Sequence, residues 1–251
     1  MILEALNYAA TWPLTSAGQR PFIRSSVNLW ARANRCRRDW AEHERRTKAA
    51  ILTAAEGCRQ KRAAVILGSG LLRDVPVVEL SRLFDTVVLV DLVHLASVRG
   101  WISAKRLTNL RLIERDLSGL DDLLAGREAE PLSFLRQVPY LDFVASTNLL
   151  SQIGIGVERR LAGTTDEPRA AELLPRMVQA HLDGLTQLAA QTCLVTDVSY
   201  RVLDRHDQEH ETVDLMHGVA LPDSREEWDW PVIPFGEESL DYRVVHRVIA
   251  M

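Results

Sequence analysis

Cysteine is scarce in this chain. Cys36, Cys58 and Cys193 are odd in number and show no metal-ligand spacing. They argue against a disulfide framework or a zinc site and point to a reducing compartment. No stretch approaches the ~20 consecutive apolar residues needed to cross a bilayer. The opening MILEALNYAATWPL carries Glu4 and no early Lys or Arg, so no secretory signal is expected. Together these absences predict a cytoplasmic protein without a membrane span. Internal repeats and low-complexity segments are also missing.

What remains is ordinary globular composition, with 47% hydrophobic and 25% charged residues over 251 positions. That length suffices for one α/β domain with a sizeable core. The net charge of −4 conceals an asymmetry: residues 20–62 hold 12 Lys or Arg against 4 Asp or Glu, and the rest is acidic. A basic front on an acidic body has two readings. It can hold phosphate groups, as in nucleic acid or an anionic lipid surface. It can also be a helix docked on its own acidic domain, which is the commoner arrangement.

Residues 1–26 contain Pro13, Gly18 and Pro21 and read as an irregular lead-in with a short helix. Trp30, Ala33, Arg37, Trp40, Glu44, Thr47, Ile51 and Ala54 then recur at helical steps. One long helix or two joined ones are expected over 26–56, with Ser25 or Ser26 as N-cap and Gly57 as stop. Residues 1–62 thus form a helical extension or cap, and 63–251 the main domain.

From Ala63 strands and helices alternate. Strands are expected at 63–67, 86–90, 110–114, 141–145 and 193–196, and helices at 76–84, 92–105, 120–126, 149–161 and 169–190. The strands are nearly continuous apolar runs, as in a parallel sheet covered on both faces. After 196 the rhythm stops. Residues 211–219 and 241–249 read as two more strands, joined by a long loop holding Trp228 and Trp230 and pairing antiparallel at one edge. The expected fold is α/β: a Rossmann-like three-layer αβα sandwich with a mostly parallel seven-stranded sheet.

The first strand, AAVIL, runs into Gly68, Ser69 and Gly70, and the second ends at Asp91. A glycine turn followed about 20 residues later by an acid is how a nucleotide-binding βαβ unit grips a ribose. Gly68 and Gly70 allow a ligand to approach the backbone closely. Asp91 can accept from ribose hydroxyls, or cap the next helix. Asp116, after the third strand, can accept from an adenine amino group, or cap its own turn through Ser118. Leu92 and Leu117 adjoin the two acids and belong to the same candidate site.

This order of features resembles the class I S-adenosylmethionine-dependent methyltransferase family. LGSG looks like its glycine motif, Asp91 its ribose acid, RDL at 115–117 its adenine segment, and ASTNLLSQI at 145–153 its fourth-strand segment. The resemblance covers about 63–250. It implies S-adenosylmethionine as cofactor, a sheet ending in an antiparallel pair, and transfer to an acceptor, for which a small molecule is the first expectation. Two positions depart from the pattern. Ile66 stands where the family usually has an acid, and Leu72 where it often has a third glycine. The methionine end is therefore held differently or not held. Asp74 is available to meet its ammonium group, unless it only begins a helix. Two alternatives stay open: a binding protein that has lost catalysis, and aminocarboxypropyl transfer of the nicotianamine-synthase type.

Candidate catalytic residues are Asn148 after the fourth strand, Tyr200 after the fifth, and His217 late in the candidate edge strand at 211–219. Asn148 could orient an acceptor or cap a helix. Tyr200 could line the acceptor site or lie at its rim. His217 is a candidate base. Asp197 and Ser199 share the fifth strand end. His94 faces adenine or solvent. His206 and His210 are four apart but lie in an acidic loop without metal-binding order, so no metal is expected. Trp228 and Trp230 either wall the acceptor or pin their loop. Arg24, Arg32 and Arg35 are candidates to bind an anionic acceptor if the basic helix closes over the site. Oligomeric state is not legible.

Overall fold

A computed structural model describes all 251 residues. The N-terminal helices are α1 (Ile2–Thr11), α2 (Ile23–Arg35) and α3 (Ala41–Glu56). The expected 26–56 helix is two helices, broken by a turn between Cys36 and Trp40. The first starts upstream of Ser25 and Ser26, at Ile23. The alternating region then runs β1 (Ala63–Leu67), α4 (Val77–Leu83), β2 (Thr86–Asp91), α5 (Ala96–Ala104), β3 (Leu110–Glu114) and α6 (Leu120–Leu124). It continues through β4 (Leu141–Thr147), α7 (Leu150–Leu161) and α8 (Ala170–Thr186). The C-terminal strands are β5 (Gln191–Asp204), β6 (Glu209–Asp214), β7 (Glu226–Ile233) and β8 (Tyr242–Ala250).

The sheet order is β3-β2-β1-β4-β5-β8-β7, with β6 paired to β5 off that path. The first five strands are parallel, and β8 and β7 are antiparallel. Every residue of β1 is buried, because helices cover both faces. Edge strand β3 alternates buried and open positions. Seven strands were expected and eight are present: the strand expected at 211–219 is β6, off the path, and the loop expected after it supplies β7 within the path.

The C-terminal third departs from expectation in instructive ways. β5 runs far beyond its expected end and overhangs the sheet. Its outer part pairs with β6 on one side and β8 on the other, after a bulge between Asp197 and Ser199. The tryptophan loop is itself strand β7. Trp228 and Trp230 point inward and Glu227 and Asp229 outward, a period of two. Pro231 masked that pattern. It falls at a register shift between Trp230 and Ile233 on an edge strand, where a missing N–H is tolerated.

Two cores flank the sheet. Ala64 and Ile66 of β1 face one side, packed with Ile23, Val27, Trp40, Ile51 and Ala55 of α2 and α3, and with Phe143 and Trp230. Val65 and Leu67 face the other, against Leu182 and Leu185 of α8. The basic N-terminal helices therefore form part of one covering layer. Further forward, α1 caps α5 in trans. Asn7 Oδ1 accepts from the Ser97 N–H at 3.2 Å, and Thr11 Oγ1 from the Ala96 N–H at 2.9 Å, satisfying donors that a helix start leaves open.

Candidate functional site

A cleft opens at the carboxyl edge of β1, β2 and β4. The sheet contributes Gly68, Gly70, Leu71, Arg73 and Asp74 after β1, Asp91, Val93 and Leu95 at and after β2, and Thr147 and Asn148 at β4. Ser26 and Leu29 of α2 and Trp40, His43 and Glu44 near and on α3 close it from above, with Gln152 and Trp230 at the side.

The bend after β1 is built by backbone geometry. Gly68 has φ +74° and Gly70 φ +48°. A Cβ at Gly68 would stand 2.6 Å from the Thr147 carbonyl oxygen, so glycine is needed there for β4 to approach. A Cβ at Gly70 would meet nothing closer than 3.8 Å and would project into the cleft. The two glycines thus do different work: the first admits a strand, the second leaves room for a ligand. Leu72, where a third glycine was expected by resemblance, has φ +60°. The backbone takes the conformation glycine favours, and the leucine side chain is held in the core.

Asp91 ties the second strand to this bend. Its Oδ2 accepts from the Gly70 N–H at 2.6 Å and its Oδ1 from the Leu92 N–H at 2.7 Å. Burial pushes its carboxyl above the usual range, while His94 and the backbone donors pull the other way. Each oxygen retains a lone pair for a further donor. The hydroxyl of Ser69 is buried without a partner. At the end of β4, Thr147 Oγ1 donates to the Gly68 carbonyl at 3.0 Å. Asn148, at φ +48°, donates its backbone N–H to the Val195 carbonyl at 2.7 Å, which fixes the strand end beside the bend.

A polar chain crosses the cleft floor. Asn148 Nδ2 lies 2.8 Å from Asp74 Oδ2 and 3.1 Å from His43 Nε2. Trp228 Nε1–H donates to His43 Nδ1 at 3.1 Å, and the His43 ring stacks on Trp230 at 3.8 Å. Burial holds His43 down to about 3, so the ring is neutral near pH 7. Burial also pushes Asp74 above the usual carboxylate range. Arg73 Nε donates to Glu44 Oε1 at 2.6 Å, which anchors the loop on α3.

Behind Trp230 lies a second polar group. His246 Nδ1 donates to Asp197 Oδ2 at 2.6 Å, and Ser151 Oγ to Asp197 Oδ1 at 2.5 Å. Burial works against the Asp197 charge, but His246 and Ser151 outweigh it and hold the carboxyl below its usual range.

Of the residues picked from sequence, Gly68, Gly70, Asp74, Asp91 and Asn148 meet in this cleft. Ser69 and Leu92 adjoin it. Asp116 and Leu117 do not line it. Asp116 accepts from the Ser118 N–H at 2.8 Å and faces Arg160 at 3.6 Å, and Leu117 packs into the α8-side core. Tyr200 stacks on His246, with ring centres 5.5 Å apart, and does not line the cleft either. His217 lies against Gly154 of α7. His94 is buried, with Nε2 at 3.1 Å from the Ile113 carbonyl, and does not face solvent. His210 pairs with Asp204 at 3.0 Å on the β5–β6 hairpin. Trp230 is a cleft wall, and Trp228 donates a hydrogen bond to the His43 ring stacked on that wall. Arg32 and Arg35 pair with Glu237 and Glu238, and Arg24 is exposed.

His43 was missed. Trp40, Glu44, Thr47 and Ile51 mark the inward stripe of α3, and His43 sits between them at helical spacing from Thr47. A histidine inside a buried stripe was the available signal.

No family model matches the chain, and no curated protein matches it. Solved structures share its general architecture. An N-methyltransferase, NodS, from Bradyrhizobium japonicum in complex with S-adenosyl-L-homocysteine is 11% identical; the match covers 84% of this chain and 87% of that one, with a TM-score of 0.42. The YcgJ protein of Bacillus subtilis is 10% identical over 83% of this chain and 96% of its own, with a TM-score of 0.44. A Burkholderia thailandensis 1,6-didemethyltoxoflavin-N1-methyltransferase is 12% identical over 89% and 86%, with a TM-score of 0.39. The fold assignment rests on this chain's own sheet order and register.

Proposed function

We propose that the cleft binds S-adenosylmethionine and that the protein transfers the cofactor's methyl group to a small molecule. One observation carries this reading: the glycine bend, Asp91 and Asn148 converge where the strand order reverses, between β1 and β4. Open α/β sheets bind ligands at that point, outside the carboxyl ends of the strands.

The residues present fit the cofactor. Gly70 leaves the backbone open to an approaching adenosyl group. Asp91 offers acceptors to ribose hydroxyls, and Val93 and Leu95 an apolar surface to adenine. Trp230 Nε1 is buried without a partner and belongs to a cleft residue, so it offers a donor to the carboxylate of an amino-acid end, while Asp74 and Asn148 stand together as acceptors for its ammonium.

When bound, the cofactor supplies an electrophilic methyl group on a sulfonium sulfur. The chain's part is to orient the acceptor in line and to exclude water. Trp40, Trp230 and the stacked His43 form a dry wall for that purpose. His43 does not serve as a base. Its Nδ1 is occupied by Trp228, and burial keeps the ring from accepting a proton near neutral pH. The acceptor therefore brings its own lone pair, as an amine or a thiolate does, and needs no deprotonation by this imidazole.

Calorimetry with S-adenosylmethionine and S-adenosylhomocysteine tests the reading. Saturable binding of both is expected, with slow turnover of the first to the second. Absence of binding to either overturns it. Release of methylthioadenosine instead would mark aminocarboxypropyl transfer.

A further inference from the structure

The chain Asp74–Asn148–His43–Trp228 has a polarity that can be worked out from its donors. An indole N–H only donates, so His43 Nδ1 is the acceptor and the hydrogen of the neutral ring is on Nε2. That Nε2–H faces the Asn148 amide nitrogen at 3.1 Å. An amide nitrogen also only donates, so two donors meet. The oxygen and nitrogen of an amide are nearly the same size, and the hydrogen-bond network decides between them. Turning the Asn148 amide end for end sets Oδ1 against His43 Nε2–H and removes the conflict. The same Oδ1 then lies where Nδ2 was, 2.8 Å from Asp74 Oδ2. Two acceptors at that distance need a hydrogen between them.

We propose that Asp74 carries this hydrogen in the free protein, donating it to Asn148 Oδ1, and that a primary ammonium group of the ligand takes its place. Identifying that ammonium with the amino-acid end of the cofactor rests on the function proposed above. On binding, the Asp74 O–H bond breaks and its proton goes to the buffer. The carboxylate formed accepts from the ligand N–H, and Asn148 Oδ1 accepts from the same ammonium. His43 keeps its hydrogen on Nε2 throughout.

The surroundings favour the neutral acid. Burial is the largest influence on Asp74, and Glu44 of α3 pushes the same way. Against them stand the hydrogen bond from the Asn148 amide nitrogen, which the turned amide removes, a backbone hydrogen bond at Asp74 itself and, more weakly, Lys48 of α3. Arg73, the neighbouring cation on the same loop, is paired with Glu44 at 2.6 Å. On the far side of the chain, His43 feels Asp197 and His246, and remains uncharged.

The test is carbon-13 NMR of protein labelled at aspartate carboxyls, with Asp74→Asn assigning the signal. Near neutral pH, Asp74 is expected to be protonated in the free protein. S-Adenosylhomocysteine should ionise it, and methylthioadenosine, which lacks the amino-acid end, should not. Affinity for S-adenosylhomocysteine should rise about tenfold per pH unit up to the free-state pKa of Asp74 and then level off. Asp74→Asn should bind more weakly and lose the slope. If that variant does not fold, calorimetry of the wild type in two buffers of different ionisation enthalpy gives the same answer: one proton released with S-adenosylhomocysteine, none with methylthioadenosine. An ionised Asp74 in the free protein at neutral pH overturns the proposal. If S-adenosylhomocysteine does not bind, the cofactor reading and the ammonium exchange both fall. The free-state proton is then judged by the carboxyl signal alone.

Discussion

Two glycines a residue apart respond differently to the same substitution. Gly68→Ala puts a methyl group against the Thr147 carbonyl at a positive φ, and about 2–4 kcal/mol of stability should be lost in urea denaturation. Gly70→Ala incurs only the backbone strain, about 1–2 kcal/mol, because its new methyl points into the cleft. Its larger effect should appear in cofactor affinity, measured by calorimetry. Buried histidines set the acid limit of the fold. His43 and His181 are held by burial down to about 3 and about 4. In the unfolded chain each takes a proton near pH 6.5, at its ordinary value. Below that pH the unfolded state binds more protons, so stability falls as pH falls. Each histidine contributes a slope of about 1.4 kcal/mol per pH unit, which ends at its folded-state value. Urea midpoints measured from pH 7 down to 4 should show this decline, and His181→Gln should flatten it. A midpoint independent of pH in that range would contradict the assignment of both rings as buried and neutral.

Helix α3 and strand β7 place residues that neither could place alone. Trp40 packs edge-on against Trp230 at 5.2 Å between ring centres, and Trp40 Nε1 donates to the Val232 carbonyl at 3.2 Å. That contact seats His43 over the end of β4. Ile51, fully buried on the same helix, fixes α3 to the sheet. Ile51→Ala should cost about 2–5 kcal/mol and be visible in the denaturation midpoint. The ion pairs of Arg32 and Arg35 with Glu237 and Glu238 join α2 to the β7–β8 turn, where the Glu237 side chain is only 7% exposed. Arg35→Glu sets a second carboxylate against Glu237 and should cost more than the ~1 kcal/mol of an exposed pair, as read by the urea midpoint, and high salt should recover part of the loss.

The charge asymmetry of the whole chain is resolved in part inside it. Arg32, Arg35 and Arg62 of the basic segment meet Glu237, Glu238 and Asp142 of the acidic body. The N-terminal helices supply part of the larger core and the roof of the cleft. A chain beginning at Ala63 would expose Ile66, Phe143 and Trp230 on one sheet face. It should lose cooperative unfolding, as followed by circular dichroism, and aggregate during size-exclusion chromatography. A monomeric, cooperatively folded fragment would show that the helices are an accessory.

Local patterns were enough for the parallel half. Continuous apolar runs announced buried strands, Gly68 and Gly70 announced the bend, and Asp91 announced the second strand end. Each of these signals lies within a few neighbouring residues. Where an element depends on distant partners, the local reading went astray: the expected loop holding Trp228 and Trp230 is strand β7, paired with β8, and the overhang of β5 depends on partners in β6 and β8. The cleft's upper wall was not readable in the chain order. His43, Asn148 and Trp228 are separated by 105 and 80 residues, and a hydrogen-bond chain among them exists only once α3, β4 and β7 are packed together. Spacing along a chain carries the periodicity of a single element. The partner of a buried polar group is chosen by which elements come into contact, and that choice is made by folding.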